Sequence, residues 1–447
     1  MKKIVSSVLG ILLLFIIYIG YTTYPELDIV NGFSSKNIAS GVFLAHRTQQ
    51  LTEDRDNDLP SMGMATNEVD MRTKSVSSSV YGLKERMAVY TEGLGAILLP
   101  ESVSKRALIE VPKRNRVPEN LPYPYGNLLQ NDTVFQNVDY DKLLIAVTNG
   151  FDVPGEDLKK TRSALVIYKG QIIAEKYKEG FDENSIMLGW SMTKSVTSTI
   201  LGVLVKEGKV SLNQDNLFEE WEKDERKNIT LQNLLNMNSG LEWEEDYAGI
   251  SDATKMLFIE EDMSKSQRIK PLSGKPNESW NYSSGTSNLL CGFLRNQFDT
   301  EQAYLDFWYQ ALIDKIGMHS MLIETDYAGN FVGSSYGWAN TRDWAKLGLL
   351  YLNEGNWNGE QIIDTSWVNF SKQATNTSNG RYGGHFWLNA GGIYPDVPKD
   401  LYSCNGFLGQ YVFIIPSKNL VVVRTGLAEG GGFDVNTFLK GIVAAVE

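Results

Sequence analysis

The longest apolar run in the chain is its first. After Met1-Lys2-Lys3, residues 4 to 21 carry no charge and are apolar apart from Ser6 and Ser7, and about twenty such residues suffice to cross a bilayer. The lysines precede the run and Glu26 and Asp28 follow it, which keeps the N-terminus cytoplasmic and places the rest of the chain outside. The stretch Ile19 to Pro25 offers no small-x-small cleavage site, so residues 1–24 are expected to form an uncleaved signal-anchor transmembrane helix, with the lipid bilayer as partner through residues 4–21.

From residue 25 to about 150 the pattern is weaker. Gly41 to Ala45 is a short apolar patch, while Ala88-Val89-Tyr90 and Gly93 to Leu99 look like strand material with glycine breaks. Four prolines between Pro112 and Pro124 predict an extended connector. The region 25–150 is expected to be a lead-in that packs on a main domain spanning 151–447.

Beyond Arg162 the pattern sharpens. Ala164 to Tyr168, a Lys169-Gly170 turn and Gln171 to Tyr177 predict a hairpin. A buried helix opens at Ser191 and runs to Val205, and Thr230 caps another at Leu231. Tyr304 to Ile316 and Thr341 to Leu352 have helical spacing. Gln410 to Ile415 and Leu420 to Arg424, joined at Pro416–Asn419, form a second hairpin, and Asp434 to Val446 is a closing amphipathic helix. Together these predict an α+β domain: an antiparallel sheet built from both ends of the domain, flanked by helices, with a helical insertion between them.

Composition removes several functions. The 447 residues are 42% hydrophobic with a net charge of −12, which suits a large core and argues against nucleic-acid binding. Cys291 and Cys404 read as small buried hydrophobes, and three scattered histidines, His46, His319 and His385, do not suggest a metal site. No cofactor is expected.

The chemistry lies in Gly189-Trp190-Ser191-Met192-Thr193-Lys194. Ser191 and Lys194 are three apart on a helix and share a face. A serine needs a base beside it, and a lysine among apolar neighbours can supply one. A Ser-x-x-Lys match arises by chance roughly once or twice in a chain this long. A second one, Ser102 to Lys105, lies in a proline-punctuated stretch and reads as loop. The context of Ser191 is therefore decisive. Tyr282 sits in the glycine- and serine-rich stretch Asn281-Tyr282-Ser283-Ser284-Gly285 before an apolar helix, where a phenol near a lysine can relay a proton. Downstream, Asn405-Gly406-Phe407-Leu408-Gly409-Gln410 enters a strand, and its glycines let a backbone N–H approach a ligand.

Ser191-x-x-Lys194, Tyr282-x-Ser284 and a glycine motif on an edge strand, in that order, resemble the serine β-lactamase and penicillin-binding-protein-like hydrolases. The likeness is to the class C-like branch, which includes esterases, D-amino-acid peptidases and nylon-oligomer hydrolases. It runs from Arg162 to the C-terminus and takes in Leu234 to Leu241 and Trp338 to Leu352. The resemblance implies a β-lactamase/transpeptidase-like fold in which Ser191 is acylated, Lys194 holds or takes its proton, and Tyr282 is general base and then general acid. It implies an oxyanion hole from the N–H groups of Ser191 and Phe407, and a pocket lined by Trp190, Ser284, Gly406 and Leu408.

Two departures narrow this. Lactamases and peptidases of the branch carry Asn where Ser284 stands and Lys or His in the strand motif, whereas the nylon-oligomer-hydrolase-like subgroup tolerates both changes and has a similar Gly-x-x-Gly-Gln pattern. The expectation is thus an extracytoplasmic serine hydrolase acting on a small or peptide-like ester or amide, and a poor β-lactamase unless an arginine such as Arg381 restores the missing cation. A D-amino-acid peptidase and a penicillin-binding sensor that acylates but deacylates slowly remain open. A dead-site surface protein would be expected to have lost Ser191, Lys194 or Tyr282.

Overall fold

The computed structural model describes residues 20, 23–101, 103, 110–131 and 133–446. Nearly all of the expected anchor, and the Ser102–Lys105 match, lie outside the described residues. Among the described residues no helix is long and apolar enough to cross a membrane. The chain divides into two compact units, one of Met1–Leu108, Glu244–Met263 and Asp326–Ala328, the other of Ile109–Trp243, Ser264–Thr325 and Gly329–Glu447.

The first unit packs helix α1 (Glu26–Ala39) on an antiparallel sheet of β1 (Thr66–Asp70), β2 (Ser75–Val80), β3 (Leu83–Thr91) and β4 (Gly95–Leu98), in that order. The periodicity of α1 is hidden because it buries polar residues that the sheet satisfies. Lys36 Nζ donates to Ala96 O at 2.7 Å, and Asn31 Nδ2 donates to Leu83 O and Lys84 O at 3.0 and 2.7 Å. The apolar patch Gly41 to Ala45 is the wound end of this helix, and Phe43 packs with Val76, Ala88 and Tyr90.

In the second unit the central sheet comes from both chain ends. Strands β5 (Thr161–Tyr168) and β6 (Gln171–Tyr177) form the first expected hairpin. Short strands β7 (Met187–Leu188), β8 (Leu322–Ile323) and β9 (Gly337–Ala339) make a three-stranded sheet, and β10 (Asn356–Trp357) pairs with β11 (Glu360–Gln361). Strands β12 (Trp387–Leu388), β13 (Tyr402–Gly406), β14 (Gln410–Ile415) and β15 (Leu420–Gly426) complete the main sheet, ordered β12-β13-β14-β15-β5-β6 and antiparallel throughout. Strands β5 and β15 are buried along their whole length, so their centres, Ala164–Tyr168 and Leu420–Val423, are apolar without alternation.

Helices cover both faces. On one, Leu143 and Val147 of α2 (Tyr140–Asn149) share a core with Val166, Phe413, Leu420, Val422 and the residues Phe438, Leu439 and Ile442 of the closing helix. The closing helix is Val435–Ala444, capped by Asp434. On the other face Gly348, in the helix Thr341–Leu352, has no room for a Cβ, which would meet Val412 and Val421 at 2.8 and 2.7 Å. The first break between the units falls at Leu108/Ile109, so α2 and the connector before it belong to the second unit, and Glu244–Met263 and Asp326–Ala328 to the first.

The proline-rich connector has no regular structure over residues 111–119 but closes into turns over 120–127, with Asn127 N donating to Glu119 O and Leu128 N to Leu121 O. Only its first half therefore fits the expected extended connector; it is pinned by Arg114. Its guanidinium donates to Asp314 from Nε at 2.9 and 3.0 Å and from Nη2 at 2.5 Å, to Met321 O at 2.8 Å, and lies 4.0 Å from the Tyr309 ring centroid. The Asp314 side chain is 2% exposed, so removing its cation strands a buried carboxylate. Arg114→Ala should cost about 3–5 kcal/mol, a fall in melting temperature on the order of 10 °C. Arg114→Ala/Asp314→Asn should recover much of it. Circular dichroism melting checks this, and an unchanged single variant would refute the pairing.

Candidate active site

The segment that presents Ser191 is a short 3-10 turn, Trp190–Met192, and the α-helix proper, α3 (Thr193–Lys206), begins two residues later than expected. The turn is tight and strained. Trp190 has φ +47°, in the left-handed region that costs a non-glycine residue energy. Thr193 Oγ1 donates to Trp190 O at 2.7 Å and accepts from Gly337 N at 2.9 Å, locking turn, helix and β9 together. Behind it α3 is buried from Thr193 to Leu204. Its hydroxyls are satisfied by neighbouring loops: Ser195 by His385 O, Thr197 by Gly333 O and Ser198 by Gly384 O.

Lys194 is 1% exposed, and its Nζ lies 3.0 Å from Ser191 Oγ, 2.9 Å from Ser284 Oγ and 2.9 Å from Ser334 O. An ammonium carries three donors, and these three oxygens suit them. The ring centroid of Tyr282 is 4.9 Å from the same nitrogen. Ser284 is the first residue of a helix, Ser284–Arg295, capped by Ser283. Tyr282 stands just ahead of that cap, in a loop whose Asn281 Nδ2 donates to Trp243 O at 3.0 Å. Sequence order thus brings Ser191, Lys194, Tyr282 and Ser284 together. Ser284 is fully buried behind the site as a partner of Lys194, where a pocket-lining role was expected.

The glycine motif meets the same place. A Cβ on Gly406 would stand 2.1 Å from Gly189 O, two residues before Ser191. Glycine there lets the end of β13 lie against the Ser191 turn. β13 is not the edge strand, but its neighbour β12 pairs only with Tyr402 and Ser403. Residues Phe407 to Gly409 form the turn into β14, with Gly409 N donating to Gly406 O at 3.2 Å. Phe407 is 40% exposed and Leu408 is buried. Phe407 packs on Trp190 with ring centroids 5.8 Å apart, and Trp190 is also 5.8 Å from Tyr336. Across the site Tyr282 contacts Tyr382 and Trp387 at 5.8 and 5.2 Å. Arg381 lies exposed, 5.5 Å from the Trp280 ring centroid.

The model of the family described as Beta-lactamase matches residues 160–433. The chain belongs to the β-lactamase family.

As a member of the β-lactamase family it is a serine hydrolase. Among solved structures the fold is similar to that of a protein from Bacillus anthracis assigned as a 6-aminohexanoate-dimer hydrolase. That match has a TM-score of 0.54 at 20% identity and covers 64% of this chain and 78% of the other. The fold is also similar to a family VIII carboxylesterase, with a TM-score of 0.54 at 16% identity over 69% and 96% of the two chains. A D-stereospecific amidohydrolase from a Streptomyces species gives 0.52 at 15% identity over 68% and 98%. No curated protein matches the sequence.

Two contributors to this β-lactamase-family site escaped the sequence reading. Ser334 offers a backbone oxygen, which no side-chain motif announces. Its loop is fixed by Ser334 N donating to Asn288 Oδ1 at 3.1 Å and by Gly333, whose Cβ would fall 2.3 Å from Thr197 Oγ1. His385, set aside as one of three scattered histidines, is fully buried between helices. Its Nδ1 meets Leu235 O at 2.8 Å and its Nε2 meets Ser287 Oγ at 3.0 Å. A carbonyl only accepts, so Nδ1 carries the proton and Nε2 accepts from the serine. Burial first, and then the nearby Lys194, push its pKa down to about 3.

A depressed histidine pKa has a definite sign. The unfolded imidazole binds its proton near pH 6.5 and the folded one near pH 3, so the stability this histidine contributes is intact above about pH 6.5. It is lost progressively as pH falls toward 3. The melting temperature of the wild type should exceed that of His385→Gln by a constant margin above pH 7, and the margin should shrink on acidification. A margin independent of pH would contradict a buried neutral imidazole.

Proposed function

We propose that this protein is a membrane-anchored, extracytoplasmic hydrolase that forms an acyl-enzyme on Ser191 and acts on uncharged linear esters or amides. The observation that carries the reading is the contact of the buried Lys194 amine with Ser191 Oγ at 3.0 Å, beside the Tyr282 ring. In the proposed cycle Ser191 Oγ attacks the carbonyl carbon while its proton passes to the Lys194–Tyr282 pair. The Ser191 and Phe407 N–H groups receive the oxyanion. Tyr282 then delivers the proton to the leaving alcohol or amine, and water, deprotonated the same way, releases the acid.

The preference for neutral substrates rests on the rim. Trp190 and the half-exposed Phe407 offer hydrocarbon where a β-lactam carboxylate would need a cation. Exposed Arg381 is engaged over Trp280, its Nε donating to Ser378 O at 3.2 Å. Losing a charge-assisted contact in a partly dry site costs on the order of 1.5–3 kcal/mol, roughly ten- to a hundredfold in rate. The hydrolase and esterase names of the structural neighbours agree with this reading.

On the detergent-solubilised full chain, a fluorophosphonate should modify Ser191, and Ser191→Ala should lower turnover roughly a thousandfold or more. kcat/KM should be higher for p-nitrophenyl butyrate than for nitrocefin. Modification of another serine, or faster nitrocefin hydrolysis, would sink the respective part of the proposal.

The anchor and its orientation follow from Lys2 and Lys3 before the apolar residues 4–21. Protease added to cells stripped of any outer layer should remove the domain after Tyr24. Full protection would place it in the cytoplasm.

A further inference from the structure

The strand motif lacks a cation on its substrate side, but a cation lies behind it. Arg424, in β15, is completely buried, and five hydrogen bonds account for its five N–H groups. Nε donates to Thr161 Oγ1 at 3.1 Å, and Nη2 donates to the same oxygen at 2.8 Å and to Lys159 O. Nη1 donates to Leu408 O at 3.2 Å and to Gly409 O at 2.5 Å. The face of Phe433 lies 4.2 Å from Cζ. Two glycines leave room for this guanidinium, since a Cβ on Gly409 or Gly426 would each stand 2.5 Å from one of its nitrogens. Asp152, whose carboxylate accepts from Lys159 N and Lys160 N, contributes a favourable charge interaction. Burial lowers the pKa of Arg424 to about 9, so it stays charged at neutral pH.

The connection to the site runs through the backbone. Leu408 O, which accepts from Arg424, belongs to the same peptide group as Gly409 N–H. Gly409 N–H donates to Gly406 O. Gly406 O in turn belongs to the same peptide group as Phe407 N–H. Two peptide dipoles are therefore joined head to tail between a buried positive charge and the N–H assigned to the oxyanion hole, an arrangement in which each hydrogen bond polarises the next. The remaining carbonyl of the turn, Phe407 O, accepts from the buried Gln410 Nε2 at 3.1 Å, so all three turn carbonyls, Phe407, Leu408 and Gly409, are held from behind.

We propose that Arg424 is a positioning residue of the oxyanion site, holding the Phe407–Gly409 turn and polarising the Phe407 N–H through these two peptide groups. The inference rests on the reading that Phe407 N–H stabilises the oxyanion. It gives a role to a guanidinium that is expensive to desolvate and stands under a turn that an apolar side chain would also fill. It differs from the substrate-binding cation of related lactamases, because its five donors are spent and none reaches a ligand.

The test uses the full chain with Arg424→Met, Arg424→Lys and an amide-to-ester replacement of the Phe407 N–H. Each is assayed for kcat and KM on p-nitrophenyl butyrate and for inhibition by an alkyl boronic acid, whose tetrahedral adduct carries the oxyanion. Arg424→Met should lower kcat about tenfold or more with little change in KM, weaken the boronate in parallel, and be partly rescued by Arg424→Lys. A folded Arg424→Met with unchanged kcat and boronate affinity overturns the inference. If that variant does not fold, Arg424→Lys decides: a lowered melting temperature with unchanged kcat and boronate affinity makes Arg424 structural only. The ester replacement separates the two claims. If it lowers kcat while the Arg424 variants do not, the oxyanion reading stands and this inference falls; if it leaves kcat unchanged, the oxyanion reading itself falls.

Discussion

Burying one amine organises this unit. A lysine nitrogen withdrawn from water must find oxygens in every direction in which it carries a proton, and Lys194 takes one each from the turn before α3, from the helix after Tyr282 and from the loop at Ser334. Those segments are far apart in sequence, so their approach is a tertiary demand that local geometry has to permit. It does so through missing side chains. Gly333 lets the Ser334 loop reach α3, Gly285 leaves room for Trp243, and Gly406 admits β13 to the Ser191 turn. Each would clash if it carried even a Cβ. Replacing any of them would therefore disturb the amine's surroundings without touching the amine.

Electrostatics in the second unit are arranged in depth. At the rim stand rings, with Trp190 against Phe407 and Tyr282 among Tyr382 and Trp387. One layer in is Lys194, and behind the turn of the main sheet is Arg424. The two buried cations differ in the partners they have. Lys194 is met by hydroxyls that can turn, whereas Arg424 is met largely by carbonyls that cannot change role. The first is suited to exchanging a proton and the second to holding a fixed field.

Much of the second unit is legible in the sequence. The hairpins at Ala164–Tyr177 and Gln410–Arg424, the helix Thr341–Leu352 and the Thr230 cap appear where β-rich runs broken by turns, helical spacing and capping chemistry put them. That Ser191, Lys194 and Tyr282 lie together could be anticipated because the expectation rested on side-chain chemistry in a fixed order. What was not legible has physical reasons. The helix Glu26–Ala39 buries asparagines, serines and a lysine, so no apolar stripe marks it. The 3-10 turn at Trp190–Met192 is set by tertiary contacts from Gly337 and β13. Backbone oxygens such as that of Ser334, and a cation used through peptide groups, leave no motif at all. The prolines marked the connector as irregular, but its turns at 120–127 and its attachment to the second unit, where Arg114 finds Asp314 some two hundred residues away, are pairings that periodicity cannot encode.

The serine at position 284 is where these strands of argument meet. An asparagine there would offer Lys194 a fixed acceptor, whereas a hydroxyl can accept or donate by rotation of one bond. When Lys194 is an ammonium, Ser191 Oγ, Ser284 Oγ and Ser334 O can all accept from it. When it is a neutral amine, it has two protons and one lone pair, and Ser334 O must still accept. One of the two serines then donates to the nitrogen while the other accepts. Both protonation states are thus satisfied by the same heavy-atom positions, and the change between them needs a hydroxyl rotation rather than a movement of the lysine. In the proposed cycle the proton crosses this group at each acylation and deacylation, so a site whose donors and acceptors are filled in both states avoids reorganisation at the moment of reaction. The departure from the lactamase pattern at Ser284 is, on this argument, compatible with the same acyl-enzyme chemistry. On the proposed reading, discrimination against a charged substrate would come from the apolar rim at Trp190 and Phe407 rather than from Ser284.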